Sequence, residues 1–468
     1  MRIQATLRPG LRACWPPKAA SWRHSPCAPR QGWLPSAPAV TGKTPPDCSS
    51  HSMMRPASAS IARSPGIITV PPPPPREANK ETTMFLQIHT LTSYHAALLN
   101  RDDAGLAKRI PFGSAERMRV SSQCLKRHWR QALKDVISLP SGIRTRHFFE
   151  REVCRRVIAE GVEDEKAREL TGKLIDAVMH SKEAREKDSL FLKQPVLFGR
   201  PEADYFVSLI TECARSGEDP GSTLKDRVKA EKKNFRALLQ AAGGSDLESG
   251  IEGALFGRFV TSDILARTDA SVHVAHAFTV HSLNNEVDYF TVVDDLKEPG
   301  EDAGAAHAGD MELGAGLFYG YVVVDVPLLV SNLSGCERQA WREQTEACAD
   351  ARDVLAALVH SIATVSPGAK LGATAPYART DCALLETGTT QPRALANAYL
   401  EPLPARGDLM QQSVNTMGHY LKSLDDMFGE ETSRFVSATR DTTSLPCAHR
   451  GPLSETIDGA LDSIFGGQ

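Results

Sequence analysis

The order in which strand-like and helix-like segments follow one another constrains this chain most. Residues 84–92, MFLQIHTLT, alternate at the strand period, with Phe85, Gln87, His89 and Leu91 facing one way and Leu86, Ile88 and Thr90 the other. Arg117 to Val120 reads as a short second strand that sets Arg117 and Arg119 on one face. Ser121 and Ser122 then supply an N-cap for a helix reaching about Ile137. Its apolar stripe is Leu125, Trp129, Ala132, Leu133 and Val136, while Lys126, Arg130 and Lys134 recur every four residues on another face. Further on, LFYGYVVVDV (317–326) is rich in β-branched residues and predicts a strand. A helix is expected over roughly 337–363, a strand over 382–387 after the turn PGAKLGA, and helices over 392–400 and 408–428.

Two insertions interrupt this strand–helix–strand rhythm. Residues 147–245 are polar and mostly helical in pattern, which predicts a separate helical lobe; short strands and turns are expected around 251–281. Residues 281–316 are rich in Gly and Ala and carry Asp294, Asp295, Glu298, Glu301, Asp302, Asp310 and Glu312 against Lys297 alone. So little apolar surface predicts a projecting loop or hairpin. With both insertions set aside, the chain predicts an α+β fold built on a sheet of ferredoxin or RNA-recognition-motif type.

The 468 residues suffice for two to three domains, and a hydrophobic content of 41% can furnish real cores. No apolar run approaches the length of about 18 residues that a membrane span needs. Ten cysteines occur without a CxxC pair, which argues against a zinc ribbon and a disulfide framework and fits a reduced, cytoplasmic setting. No cofactor signature is present.

Residues 1–83 stand apart. Sixteen of the 30 prolines fall in residues 1–76, ending in the run Pro71 to Pro75, and the rest lacks periodicity. Such a segment cannot offset its ordering entropy by burial and is expected to be disordered. It could be an Arg-rich transit peptide or a basic arm, but the preferred expectation is that translation starts at Met84. Lys80-Glu81 can be encoded as a purine-rich ribosome-binding sequence just upstream, and regular structure begins at Met84.

The net charge of −3 conceals an asymmetry: residues 84–134 carry nine Lys/Arg against Asp102, Asp103 and Glu116, whereas residues 135–468 sum to −17. Within the body a polyanion therefore has one landing place. In the block NRDD…RMRVSSQCLKRHWR (100–130), Arg117 and Arg119 project from one strand face and the Ser121-Ser122 turn would offer backbone N–H groups at a helix N-terminus. Lys126 and Arg130 continue the charge along the helix. Phosphates could follow strand edge, cap and helix in turn, giving affinity without base preference. A solvated basic helix face with a serine cap would have the same composition.

The same block resembles the CasC family, the guide-RNA-binding backbone subunit of the type I-E CRISPR surveillance complex, Cascade. FLQIHTLTSY, NRDD (100–103), RVSSQCLKRHWR (119–130), FGRFVTSD (256–263), ASVHVAHAFTVH (270–281), DYFTVVDDL (288–296), GAGLFYGYVVVDV (314–326) and VSPGAKLGATAPY (365–377) match family motifs in order. The resemblance runs from Met84 to about 400 and more loosely to the end; residues 1–83 lie outside it. It implies a hand: palm in 84–146, 251–280 and 317–468, the last with C-terminal helices; fingers in 147–250; and an acidic thumb in 281–316. It implies copies stacked along a guide RNA, each thumb reaching the next copy and displacing a guide base. It also implies other Cascade subunits as partners and target DNA met only through guide pairing, with no membrane and no catalysis. Carried over by motif, the RNA contacts would be Arg101, Arg119, Ser121, Ser122, Gln123, Lys126 and Arg130, then Arg258, Thr261 and Ser262, and Lys370 in its Gly-rich turn. Glu116 departs from the family, which tends to be basic there.

Two rival chemistries are open on residue type. His273, His276 and His281 with Asp288, Asp294 and Asp295 could hold a hydrolytic metal, although a strand over 271–280 would turn His273 and His276 to opposite faces. His89 and His95 beside the basic block could serve as acid and base of a repeat-RNA endonuclease, but no Ser/His/Lys set concentrates into a site. The strands at 84–92 and 117–120 offer only Phe85 for base stacking, and Trp129 belongs to the core stripe, which favours backbone gripping over base reading.

Overall fold

The computed structural model describes residues 83–179, 184–187, 189–216, 219–231, 249–258, 268–292, 307–447 and 449–466. The expected extension 1–83 lies outside them apart from Thr83, as do Thr261, Ser262 and the acids Asp294, Asp295, Glu298, Glu301 and Asp302.

The first strands are β1 (Phe85–Ala97), β2 (Arg109–Phe112) and β3 (Ala115–Val120), followed by α1 (Ser122–Leu133). A lobe follows with β4 (Ile143–Thr145), α2 (Asp164–Val178), β5 (Val196–Phe198), α3 (Arg200–Arg215) and α4 (Pro220–Glu231). The chain returns through α5 (Gly250–Phe256), β6 (Val272–Val274) and β7 (Ala277–Thr279). Next come β8 (Asn285–Val292), β9 (His307–Asp325), α6 (Val326–Ser334) and α7 (Thr345–Thr364). It closes with β10 (Thr380–Gly388), α8 (Leu409–Phe428), β11 (Ser433–Ala438), β12 (His449–Arg450) and α9 (Leu453–Phe465).

Among the described residues ten strands form one sheet in the order β12-β11-β10-β1-β9-β7-β3-β2, with β6 and β8 also pairing along β9. All of its pairings are antiparallel except β11 with β12. β1 lies near the centre, Ile88 standing opposite Val322 on one side and Leu385 on the other. The expected alternation of β1 holds and both its faces are covered. Leu86 and Ile88 join Phe318 and Val322 under Leu125 and Trp129 of α1, Leu355 and Leu358 of α7 and Leu461 of α9. Leu91 enters a second core with Tyr319, Leu384 and Val436 under Val414, Met417 and Leu421 of α8. Full burial of each such side chain stabilises the fold by about 1.5–3 kcal/mol.

Between Gln87 and Leu91 that second face is polar, and its groups are paired. His89 is fully buried, with Nδ1 3.0 Å from the Tyr319 hydroxyl and Nε2 3.0 Å from Glu386. Glu386 also accepts from Arg393 at 2.7 and 3.0 Å, from Arg434 Nε at 2.9 Å and from Thr432 at 2.8 Å. Burial pushes the Glu386 carboxyl up, but His89 and Arg393 hold it well below the usual carboxylate range. His89 is thereby part of the scaffold rather than an acid or base for RNA.

The helical lobe has its own core. Phe148 stacks on Phe198 at 3.9 Å, and Phe149, Phe206, Leu170, Leu174 and Ile210 close around them. A third cluster separate from the two that flank the sheet is the physical reason the 147–245 pattern reads as a unit.

Several boundaries differ from expectation. The 317–326 strand begins at His307, because its first half pairs with β8, Val287 opposite Glu312 and Tyr289 opposite Asp310. The acidic insertion is therefore a hairpin continuous with the sheet, and a boundary at 316 cuts one strand in two. The 251–281 stretch starts with a helix, α5, and its expected strand is broken at Ala275-His276 into β6 and β7. The 392–400 helix is only a 3-10 turn, Ala396–Tyr399. The stretch 337–363 divides into a 3-10 segment, Arg338–Glu343, and α7.

Candidate nucleic-acid interface

β3 delivers the chain to Ser121, whose extended backbone (φ −69°, ψ 147°) lets its side chain fold back and accept from Cys124 N at 3.3 Å. The expected row of free amides is mostly taken. Ser121 N donates to Asn100 Oδ1 at 2.9 Å and Ser122 N to His276 Nδ1 at 3.0 Å. Among the described residues, Gln123 N alone in this first turn faces no protein acceptor. Ser121 itself is buried, so its role is to shape the turn, while Gln123 is exposed.

Cations gather around this turn. Arg119 is half-buried, its Nε donating to Arg109 O at 3.2 Å while its backbone N donates to Lys108 O at 2.8 Å. Burial, then Arg119 and Lys108, push the His276 pKa down, which sets both cations beside that ring. Lys126 extends its ammonium over the Phe256 ring at 5.8 Å, a placement that shields its stem and leaves the charge on the helix face. Burial lowers the pKa of Lys126. Arg130 is lowered by burial first and then by Arg144, with Arg127 adding and Glu252 opposing. Like charges crowded this way are destabilising alone and are relieved by a polyanion. Arg101 is exposed on the neighbouring loop, bridged to Ala107.

That loop is held by Glu312, one of the seven acids of the insertion. It is buried, accepts from Ala107 N at 2.8 Å and from Arg109 at 2.6 Å, and so belongs to the sheet end of the hairpin. Glu116 is exposed, 3.8 Å from Arg109.

Two arginines set toward RNA by the sequence, Arg117 and Arg258, are buried, while Lys370 stays exposed next to the Leu98–Ala369 bridge. Arg117 is fully buried and donates to the carbonyls of Thr279 at 2.9 Å and Tyr399 at 2.8 Å, so the paired-arginine strand face reduces to Arg119. Arg258 is buried against Glu202 at 2.6 Å, joining the strand-side return to the N-terminus of α3. Lys370 is exposed in a left-handed conformation (φ 52°), its ammonium 5.4 Å from the Phe290 ring and 3.6 Å from Met311 Sδ, at the root of the hairpin. Thr261 and Ser262 lie outside the described residues.

Of the residues in the metal reading, Asp294 and Asp295 lie outside the described residues, and each of the three histidines bonds the backbone. His273 bonds Ala270 O, His276 accepts from Ser122 N, and His281 bonds Ser282 O through Nδ1 and accepts from Leu317 N through Nε2. Among the described residues no three His, Cys, Asp or Glu side chains gather. His95 sits exposed near the end of β1, away from the buried His89 pair.

Sequence reasoning did not single out Lys108, Arg127 or Arg144 for this face, whereas it left His276 as a core or RNA-side hydrogen-bonding histidine. Lys108 and Arg127 were within the basic block but off the helical period; Arg144 and His276 arrive from β4 and from the β6–β7 break, which only folding brings close.

A family model described as CT1975-like protein matches residues 86–462. No curated protein matches the chain. Among solved structures, one described as a CRISPR RNA-guided surveillance complex, pre-nicking, is similar at 24% identity over 81% of this chain and 100% of that one, with a TM-score of 0.66. Another, described as a CRISPR RNA-guided surveillance complex, is similar at 20% identity over the same shares, with a TM-score of 0.50. At these identities the likeness concerns the fold, a mixed α+β architecture with a mostly antiparallel sheet. Because the family model spans nearly all of the chain from β1 into α9, the chain belongs to the CT1975-like protein family, the CasC-type proteins whose motifs its sequence carries.

Proposed function

We propose that this chain grips a CRISPR guide RNA by its sugar-phosphate backbone and acts as a repeated, non-catalytic subunit of a type I-E surveillance complex. The observation that carries this is the gathering of cations about α1, with Arg119 and Lys108 bearing on His276, Lys126 over Phe256, Arg130 beside Arg127 and Arg144, and Arg101 exposed on the adjoining loop. Of the aromatics at this face, Trp129 and Phe318 are buried and Phe256 is half-buried with Lys126 over its ring, so bases have little to stack on. Such a face binds phosphates and leaves base edges free, and sequence choice is then delegated to pairing between guide and target DNA.

The palm reading draws on strand order. β10-β1-β9-β7, with α1 between β1 and β7 in sequence and α7 between β9 and β10, follows the β-α-β-β-α-β plan of ferredoxin-like and RNA-recognition domains. In this reading the lobe of α2 to α4 is the fingers and the β8–β9 hairpin is the thumb. Stacked copies and other complex subunits would supply the basic surface that the acidic hairpin calls for.

The test compares the full chain with a Lys126→Ala/Arg130→Ala variant on single-stranded RNA at several salt concentrations. Wild type should bind RNAs of unrelated sequence alike. The variant's log-affinity against log-salt slope should be shallower by about 0.7 for each phosphate contact removed. An unchanged slope would leave the cluster a solvated surface. RNA recovered intact after incubation supports the non-catalytic part; a discrete cut refutes it.

A further inference from the structure

The Ser122 amide donates to Nδ1 of His276 at 3.0 Å. A backbone N–H only donates, so Nδ1 carries a lone pair and the ring is neutral with its proton on Nε2. His276 stands exposed in the break between β6 and β7, and the charged groups bearing on it are Arg119 of β3 and Lys108 beside β2. Both of these charges are cations and act on the ring in the same sense.

Resting on the RNA-backbone reading above, we propose that His276 is a positioning residue of the RNA grip, holding the Ser122 amide when neutral and yielding it to an RNA phosphate when protonated. A protonated ring has N–H groups on both nitrogens and cannot accept from Ser122. The freed amide then joins that of Gln123 at the N-terminus of α1, and the imidazolium adds a cation beside the same phosphate. The phosphate in turn neutralises Arg119 and Lys108, the groups that resist protonation. Proton uptake and RNA binding therefore favour each other, each by the same factor.

The sign follows from the two end states. In the free protein burial, Arg119 and Lys108 hold the His276 pKa below its usual 6.5, and a bound phosphate raises it. Affinity rises as pH falls between the RNA-bound and free values and is flat outside that window. One proton sets a limit of about tenfold per pH unit.

The test measures binding of the full chain to a labelled mixed-sequence RNA short enough for one copy, at fixed salt, from about pH 8 to about pH 5.5. Wild type should tighten roughly three- to tenfold across the window. His276→Gln, whose side-chain oxygen still accepts from Ser122 but does not titrate, should lack that gain. His276→Ala, which leaves the amide free, should lack it too and bind more tightly than His276→Gln throughout. Thermal melts establish that both variants fold. If either folded variant keeps the wild-type pH dependence, or if alanine is weaker than glutamine throughout, His276 is only a structural cap and the proposal falls. RNA binding with no pH dependence in wild type overturns this inference alone, whereas no RNA binding at any pH overturns the functional reading with it.

Discussion

Arg258 offers the sharpest separation between what a motif implies and what a fold does with a residue. Its guanidinium lies 2.6 Å from Glu202, with side-chain exposures of 1% and 0%. Glu202 also accepts from Gly199 N at 3.0 Å, reaching back from the first turn of α3 to its N-cap backbone. Arg258→Met strands a buried carboxylate on that single N–H. Breaking one partner of a buried pair costs about 3–5 kcal/mol. Adding Glu202→Gln restores a neutral acceptor for Gly199 and should recover most of the loss. Burial already pushes the Glu202 carboxyl up, against the pull of Arg258 and Gly199, and losing Arg258 raises it further. An acid whose pKa is raised in the folded state takes its proton more readily there, so the single variant's deficit should narrow as pH falls into the carboxylate range. The assay is urea unfolding of wild type, the single and the double variant at two pH values, with RNA binding measured on the folded protein. A single variant that unfolds with wild type yet loses RNA affinity as Lys126→Ala/Arg130→Ala does would refute the buried-pair reasoning and return Arg258 to the RNA face.

Other outcomes follow from the same geometry. Glu386→Gln, which removes the charge facing Arg393 and Arg434, should cost about 3–5 kcal/mol in a chemical melt. Acid should destabilise the wild type from about pH 6.5 downward, since the His89 pKa is lowered by burial and Glu386 is held low: the first favours folding above its unfolded value, the second likewise, and both are lost as pH falls. A pH titration of stability that is flat there would contradict this. Gly113→Ala should be destabilising by more than about 1 kcal/mol, because φ is +62° and the new methyl would sit 1.7 Å from Leu400 O. Glu312→Gln removes a negative charge from the basic face yet should weaken RNA binding a few-fold, since Arg109 and Ala107 lose their anchor; tighter binding would mean that net charge, not loop order, governs the site.

Much of this protein was legible along the chain because its signals are local. Alternation in 84–92, β-branching in 317–326 and the four-residue recurrence of Lys126 and Arg130 each depend on neighbours a few residues away, and they located β1, the inner half of β9 and α1. Ordered motifs also marked the family from Met84 onward. What the chain order could not reveal is who meets whom across 56 residues or more. Whether the Ser122 amide is free depends on His276, 154 positions later. Whether Arg117 and Arg258 face solvent depends on the carbonyls of Thr279 and Tyr399 and on Glu202. An arginine is written the same way whether it grips a phosphate or fills a core, and only the tertiary structure, by supplying or withholding a buried acceptor, decided between the two.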